Sequence, residues 1–116
     1  MDLSKRDKKI AHVVMEKGLQ IEFANGLNKA DAVIQTWKKH GQENREAYHL
    51  LFKTIRDFDK HIVGRYNYLT GSRYFFVIAE QFADGVITED DIKDFSPELI
   101  QNIRETKRRR EEYENE

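Results

Sequence analysis

Between Leu19 and Trp37 the apolar residues fall at Leu19, Phe23, Leu27, Ala30, Ile34 and Trp37. Steps of four and three residues are the repeat of one helix face. The preceding segment carries a second stripe, Ile10, Val13, Val14, Ile21 and Ala24, on another side of the same helix. The pattern predicts one long helix from Ser4 to about His40 that serves two neighbours. Gly18 and Gly26 are where it would kink, because glycine inside a helix costs about 1 kcal/mol against alanine.

Gly41-Gln42 is a connection short enough to join antiparallel neighbours. The next segment, about Glu43 to Leu69, has the cleanest stripe in the chain: Tyr48, Leu51, Phe52, Ile55, Phe58, Ile62, Tyr66 and Leu69. In a hairpin of these two helices Trp37 meets Tyr48, and Phe23 or Leu27 lies near Phe58 or Ile62. A third element follows Thr70-Gly71-Ser72 and is apolar nearly all round from Tyr74 to Ala79, as in a buried helix. A strand over Tyr74 to Ile78 competes, but no second strand is in sight to pair with it. A short helix follows Thr88. A last one starts at Ser96-Pro97-Glu98, a cap, a first-turn proline and an acid. It is anchored only by Leu99, Ile100 and Ile103. The fold predicted is all-α, a small helical bundle built on a long antiparallel helical hairpin. An entwined dimer is the alternative, because two stripes on one helix are more than one partner covers.

Composition narrows this picture modestly. A chain of 116 residues is one domain's length. The expectation is a single helical domain over 1–104 and a charged, frayed or disordered tail over 105–116, where ETKRRREEYENE has almost nothing to bury. Charged residues at 35 % against 39 % apolar make the chain charge-rich, but far from a disordered composition. With no cysteine there is no disulfide, thiol catalysis or thiolate zinc site. The net charge of -1 gives no global pull toward nucleic acid or anionic lipid, so any pull is local. The chain lacks an 18-residue apolar run, and its N-terminus lacks a signal-like apolar stretch, so a cytoplasmic, non-membrane protein is expected.

The segment FADGVITEDDIKDF resembles the back half of a calcium-binding loop. With Gly85 as the sixth loop position, Phe82 occupies the third and Asp91 the twelfth. The frame thus loses one oxygen ligand and shortens another. The better reading is a helix stop at Gly85 and a cap at Thr88. Glu46 and His49 have the spacing of a di-iron ligand pair, but the second pair is missing. Asp57 and His61, four residues apart, add at most a weak surface metal site.

Asp59 lies at the centre of the second helix's stripe and is expected to be a buried structural acid with a satisfied partner. The corner from Gly64 to Phe76 places Arg65, Ser72 and Arg73 among tyrosines, where free helix amides suit an anion. The run Lys107, Arg108, Arg109, Arg110 suits phosphate contact, although the glutamates that follow cancel much of its field. No catalytic, cofactor or metal site is assigned, and no cofactor is expected. The function expected is a non-enzymatic helical interaction or regulatory module that binds another protein or itself as a homo-oligomer. One alternative is a nucleic-acid-binding accessory protein using the basic runs and the Arg65/Arg73 corner. A second is a metal-binding or enzymatic helical bundle.

Overall fold

The long first helix is unbroken, and its glycines are there for packing instead of bending. In the computed structural model, which describes residues 1–67, 69, 71 and 73–115, α1 runs from Lys5 to His40 through both glycines. It is followed by α2 (Asn44–Tyr66), α3 (Arg73–Ala83), α4 (Glu89–Ile92) and α5 (Pro97–Glu114). Among the described residues there is no strand. The fold is all-α, and Tyr74 to Ile78 belong to α3. Helix α5 continues without a break past residue 104, where the sequence places the start of its tail over 105–116. The chain divides into two compact units, Met1–Ile21 with Tyr68–Glu116, and Glu22–Asn67.

The first unit is built on α3, whose Val77, Ile78, Ala79 and Phe82 are buried with Ile87, Ile92, Phe95, Leu99 and Ile103. From α1 it takes Ala11, Val14, Met15 and Gly18. Of the stripe the sequence suggests, only Val14 is buried. Val13 and Ile21 are exposed and Ile10 is only partly covered. Hydrophobicity picks out the large side chains, whereas the buried face also includes small positions, Ala11 and Gly18, and the Gln81 side chain of α3 fills the space beside Gly18. At Gly18 an added Cβ would lie 2.3 Å from Gln81 Nε2. Gln81 is itself fully buried and donates to the Met15 carbonyl at 3.2 Å.

Both ends of this unit are tied by acids. The Asp7 amide donates to Ser4 Oγ at 3.1 Å. Its buried carboxylate does not turn back to complete a capping box. It accepts instead from the Ser96 amide (3.0 Å) and hydroxyl (2.7 Å), so it joins the start of α1 to the start of α5. Ser96 therefore occupies the cap position without making a side-chain cap.

The acidic segment after Gly85 is a helix stop and a helix start. Gly85 has φ +75°, the left-handed conformation that ends α3. Phe82 and Ile87 are buried, and Thr88 and Asp91 form a complete capping box. Asp91 also accepts from Lys17. Burial by itself would raise the Asp91 pKa. The Lys17 hydrogen bond, the Thr88 amide and hydroxyl, and the Lys17 charge outweigh it and hold the carboxyl below its ordinary value of 3.8. A depressed folded pKa means that folding favours the ionised form. This contribution is complete above 3.8 and is lost as pH falls through the lower folded value. Asp91→Asn is therefore expected to be less stable than wild type near neutral pH, and the gap to close on acidification. Urea unfolding from about pH 6 to about pH 2 checks this.

The second unit is the expected hairpin. Gly41, at φ +63°, closes the end of α1. Glu43 caps α2, its carboxylate accepting from the Glu46 amide at 2.9 Å. Trp37 Nε1 donates to Asn44 Oδ1 at 2.8 Å across the turn. The Phe23 and Phe58 rings meet edge to face at 6.5 Å. Trp37 and Tyr48 line one cavity, as the pattern predicts. A Cβ on Gly26 would sit 2.5 Å from the Phe58 ring, so the second glycine is also a close-packing position.

Candidate functional site

The hairpin of the second unit has two dissimilar faces. At about 100° per residue, Ala47, Leu51, Thr54, Phe58 and Arg65 form the flank of α2 turned toward α1, and these residues are buried or half-buried. On α1 the facing positions centre on Glu22, Gly26 and Val33. Each helix then has one flank on either side of this seam.

One side is polar. Glu22, only 5 % exposed, accepts from Arg65 Nη1 at 2.9 Å on Oε1. The same oxygen lies 2.7 Å from His61 Nε2, while Oε2 accepts from the Tyr66 hydroxyl. Arg65 is buried with it. Beside this cluster lies a groove of about 460 Å³ lined by Glu22, Asn25, Lys29, Thr54, Asp57 and His61. A carboxylate with three donors is a satisfied network that fixes how the two helices meet. Asp57 and His61 do share the groove. Glu46 and His49 are exposed elsewhere on α2, and among the described residues no three histidine, aspartate or glutamate side chains are grouped to hold a metal ion.

The other side is apolar and uncovered. Leu27 is 71 % exposed and Tyr48 68 %, with Phe23, Trp37, Phe52 and Ile55 also exposed. Near the turn, Ile34, Trp37, Tyr48 and Leu51 enclose an apolar hollow of about 310 Å³. Asp59 stands in the middle of this exposed flank of α2. The expectation that it is buried needs correction: Asp59 is exposed. Helix α1 covers only one half of the broad α2 stripe, and Asp59 belongs to the other half. Arg56 lies along Phe52 with its guanidinium 5.7 Å from the ring centre.

The basic candidates are distributed differently. Arg65 belongs to the Glu22 cluster, so it serves the hairpin seam. Arg73 is half-buried at the first position of α3, and Ser72 lies outside the described residues. Lys107 sits over the Phe82 ring at 5.1 Å. Arg108 pairs with Glu105 and Glu112, Arg109 with Glu105 at 3.2 Å, and Arg110 with Asp84 at 2.6 Å. The Arg108 hydrogen bond, ahead of the charges of Arg108 and Arg109, holds the Glu105 carboxyl below its usual range. Glu105, Glu112 and Asp84 thus take up much of the run's charge; of these only Glu112 is among the glutamates that follow it in sequence, Glu105 preceding it and Asp84 lying after α3.

Sequence reasoning missed the Glu22 cluster. Its signal was the spacing Gly18, Glu22, Gly26, a charged residue four positions from a glycine on either side. Small neighbours on one stripe mark where another helix comes close, and an acid between them must then be buried and paired. Among the described residues no helix is long and apolar enough to cross a membrane. Comparison with protein-family models, with curated proteins and with solved structures finds no match to this chain.

Proposed function

We propose that the chain is a non-enzymatic interaction module, cytoplasmic and oligomeric, that binds protein through the uncovered face of the α1–α2 hairpin. The observation that carries this reading is the cluster of large apolar side chains there, with Leu27 and Tyr48 about two-thirds or more exposed. Scattered exposed leucines are ordinary. A contiguous set on one face of two packed helices marks an association surface. The aromatic content of the face agrees, since tyrosine, tryptophan and phenylalanine are enriched at the centres of interfaces.

The test is a pull-down from the source cell's lysate with wild-type chain and Phe52→Asp, each with and without nuclease. Wild type is expected to recover protein that survives nuclease, and Phe52→Asp to lose it. Nucleic acid in the eluate, with proteins lost after nuclease, would overturn this reading in favour of the basic surfaces. Equal recovery by both variants would place the binding surface elsewhere.

A further inference from the structure

Resting on that reading, we infer that the occupant of the apolar face is a second copy of this chain, docked so that each α2 crosses its counterpart antiparallel. Two apolar-faced hairpins stacked face to face make a four-helix arrangement.

The first argument is charge. Asp59 is a carboxylate in the middle of an apolar flank, and any partner that covers the flank must give it a cation or a strong donor. A twofold axis perpendicular to α2, passing between Arg56 and Asp59, supplies one. The two residues are three positions apart, about 4.5 Å along the helix. This axis brings Asp59 of each copy opposite Arg56 of the other, forming two equivalent ion pairs. Both residues lie on the side of α2 that faces away from α1; the Arg56 guanidinium is 5.7 Å from the Phe52 ring centre and its Nε 3.9 Å from Asp57 Oδ1, a long surface pair that docking would exchange for Asp59. The other arrangement, in which α2 lies over α1 of the second copy, sets Asp59 near Phe23, Ala24 and Leu27 and offers no cation.

The second argument is that one axis suits both helices. Phe58 lies against Gly26 across the hairpin. An axis through α2 at the level of residues 57 and 58 therefore crosses α1 at Gly26 and Leu27. Leu27, the most exposed of the large side chains on this face, then meets its own counterpart on the axis.

The third argument is area. Phe23, Leu27, Trp37, Tyr48, Phe52 and Ile55 are 39–71 % exposed. At roughly 150–250 Å² per large side chain they present on the order of 650 Å². A standard stable interface uses about 800 Å² per partner. The six side chains alone approach that size, so a hairpin of equal size and shape is a matching occupant.

Sedimentation velocity and light scattering of the full chain test this from about 1 μM to about 500 μM. Wild type is expected to have twice the chain mass at the upper end. Leu27→Asp is expected to be monomeric throughout, with unchanged helical circular dichroism, because Leu27 is largely exposed in the single chain. Asp59→Arg sets cations opposite each other and is expected to weaken self-association roughly a hundredfold. Asp59→Arg combined with Arg56→Asp is expected to restore most of it. A monomer at every concentration overturns the inference. So does a dimer indifferent to Leu27→Asp and to the charge reversal, or an assembly larger than two. The interaction reading is judged separately: if the chain is monomeric yet Phe52→Asp still abolishes protein capture, the face binds a different protein.

Discussion

Glu22→Ala is expected to destabilise the hairpin by about 3 kcal/mol, read by urea unfolding of the full chain. Breaking a buried ion pair from one side costs about 3–5 kcal/mol, because the remaining charge stays in a poorly solvated place. Here Arg65 Nη1 donates to Glu22 at 2.9 Å and both side chains are buried. The lower end applies because His61, the second donor, has a side chain 44 % exposed and reachable by water. The Tyr66 hydroxyl loses its acceptor as well. Glu22→Gln keeps an acceptor oxygen and loses the charge, so about half the penalty is expected. The network origin is checked by a cycle. Glu22→Leu in an Arg65→Met background is expected to cost less than in wild type, with a coupling of about 1–3 kcal/mol. An additive pair would mean that Glu22 and Arg65 do not act together.

Gly18→Ala is expected to cost about 2 kcal/mol, as overpacking in a well-filled site does. The sign is the informative part. At an unobstructed position inside a helix, the same change stabilises by about 1 kcal/mol. At Gly18 the new methyl would lie 2.3 Å from Gln81 Nε2, 2.8 Å from its Cδ and 3.2 Å from Ile87 Cγ2. Gln81 has nowhere to withdraw, being fully buried and bonded to the Met15 carbonyl. The cost is expected to shrink in a Gln81→Ala background, where the obstructing amide is gone. Gly26→Ala meets the Phe58 ring at 2.5 Å, but that ring is only half-buried and can swing. A smaller loss of about 1 kcal/mol is expected there. Thermal unfolding followed by circular dichroism ranks the variants, and a gain in stability at Gly18 would contradict the tight fit of the Gln81 side chain against it.

Much of this architecture was legible in the sequence because it rests on local physics. The period of Leu19 to Trp37 and of Tyr48 to Tyr66, the left-handed glycines at 41 and 85, and the Thr88/Asp91 box each act within a few residues. So does the pairing of Arg108 with Glu112, one turn further along α5. The ring contact of Phe23 with Phe58 also followed, because a short link between two periodic helices leaves few registers.

Tertiary structure alone decided which side of each helix is covered. Hydrophobic periodicity locates an apolar arc but not the part of it a neighbour occupies. The α2 arc is broader than one helix covers, so α1 took the Ala47, Phe58 and Arg65 flank and left Tyr48, Ile55 and Asp59 outside. On α1 the buried stripe runs through Ala11, Val14 and Met15 but also through Asp7, Gly18 and Glu22, residues that a hydrophobicity count discards. Gly18 is buried because the Gln81 side chain fills the space beside it, and each acid is buried because it finds its donors on segments distant in sequence: Ser96 for Asp7, and His61, Arg65 and Tyr66 for Glu22. Such pairings exist only once the chain has folded. The sequence determined the helices, their ends and the hairpin's register; the meeting of distant segments determined which acid was buried and which apolar face was left for a partner.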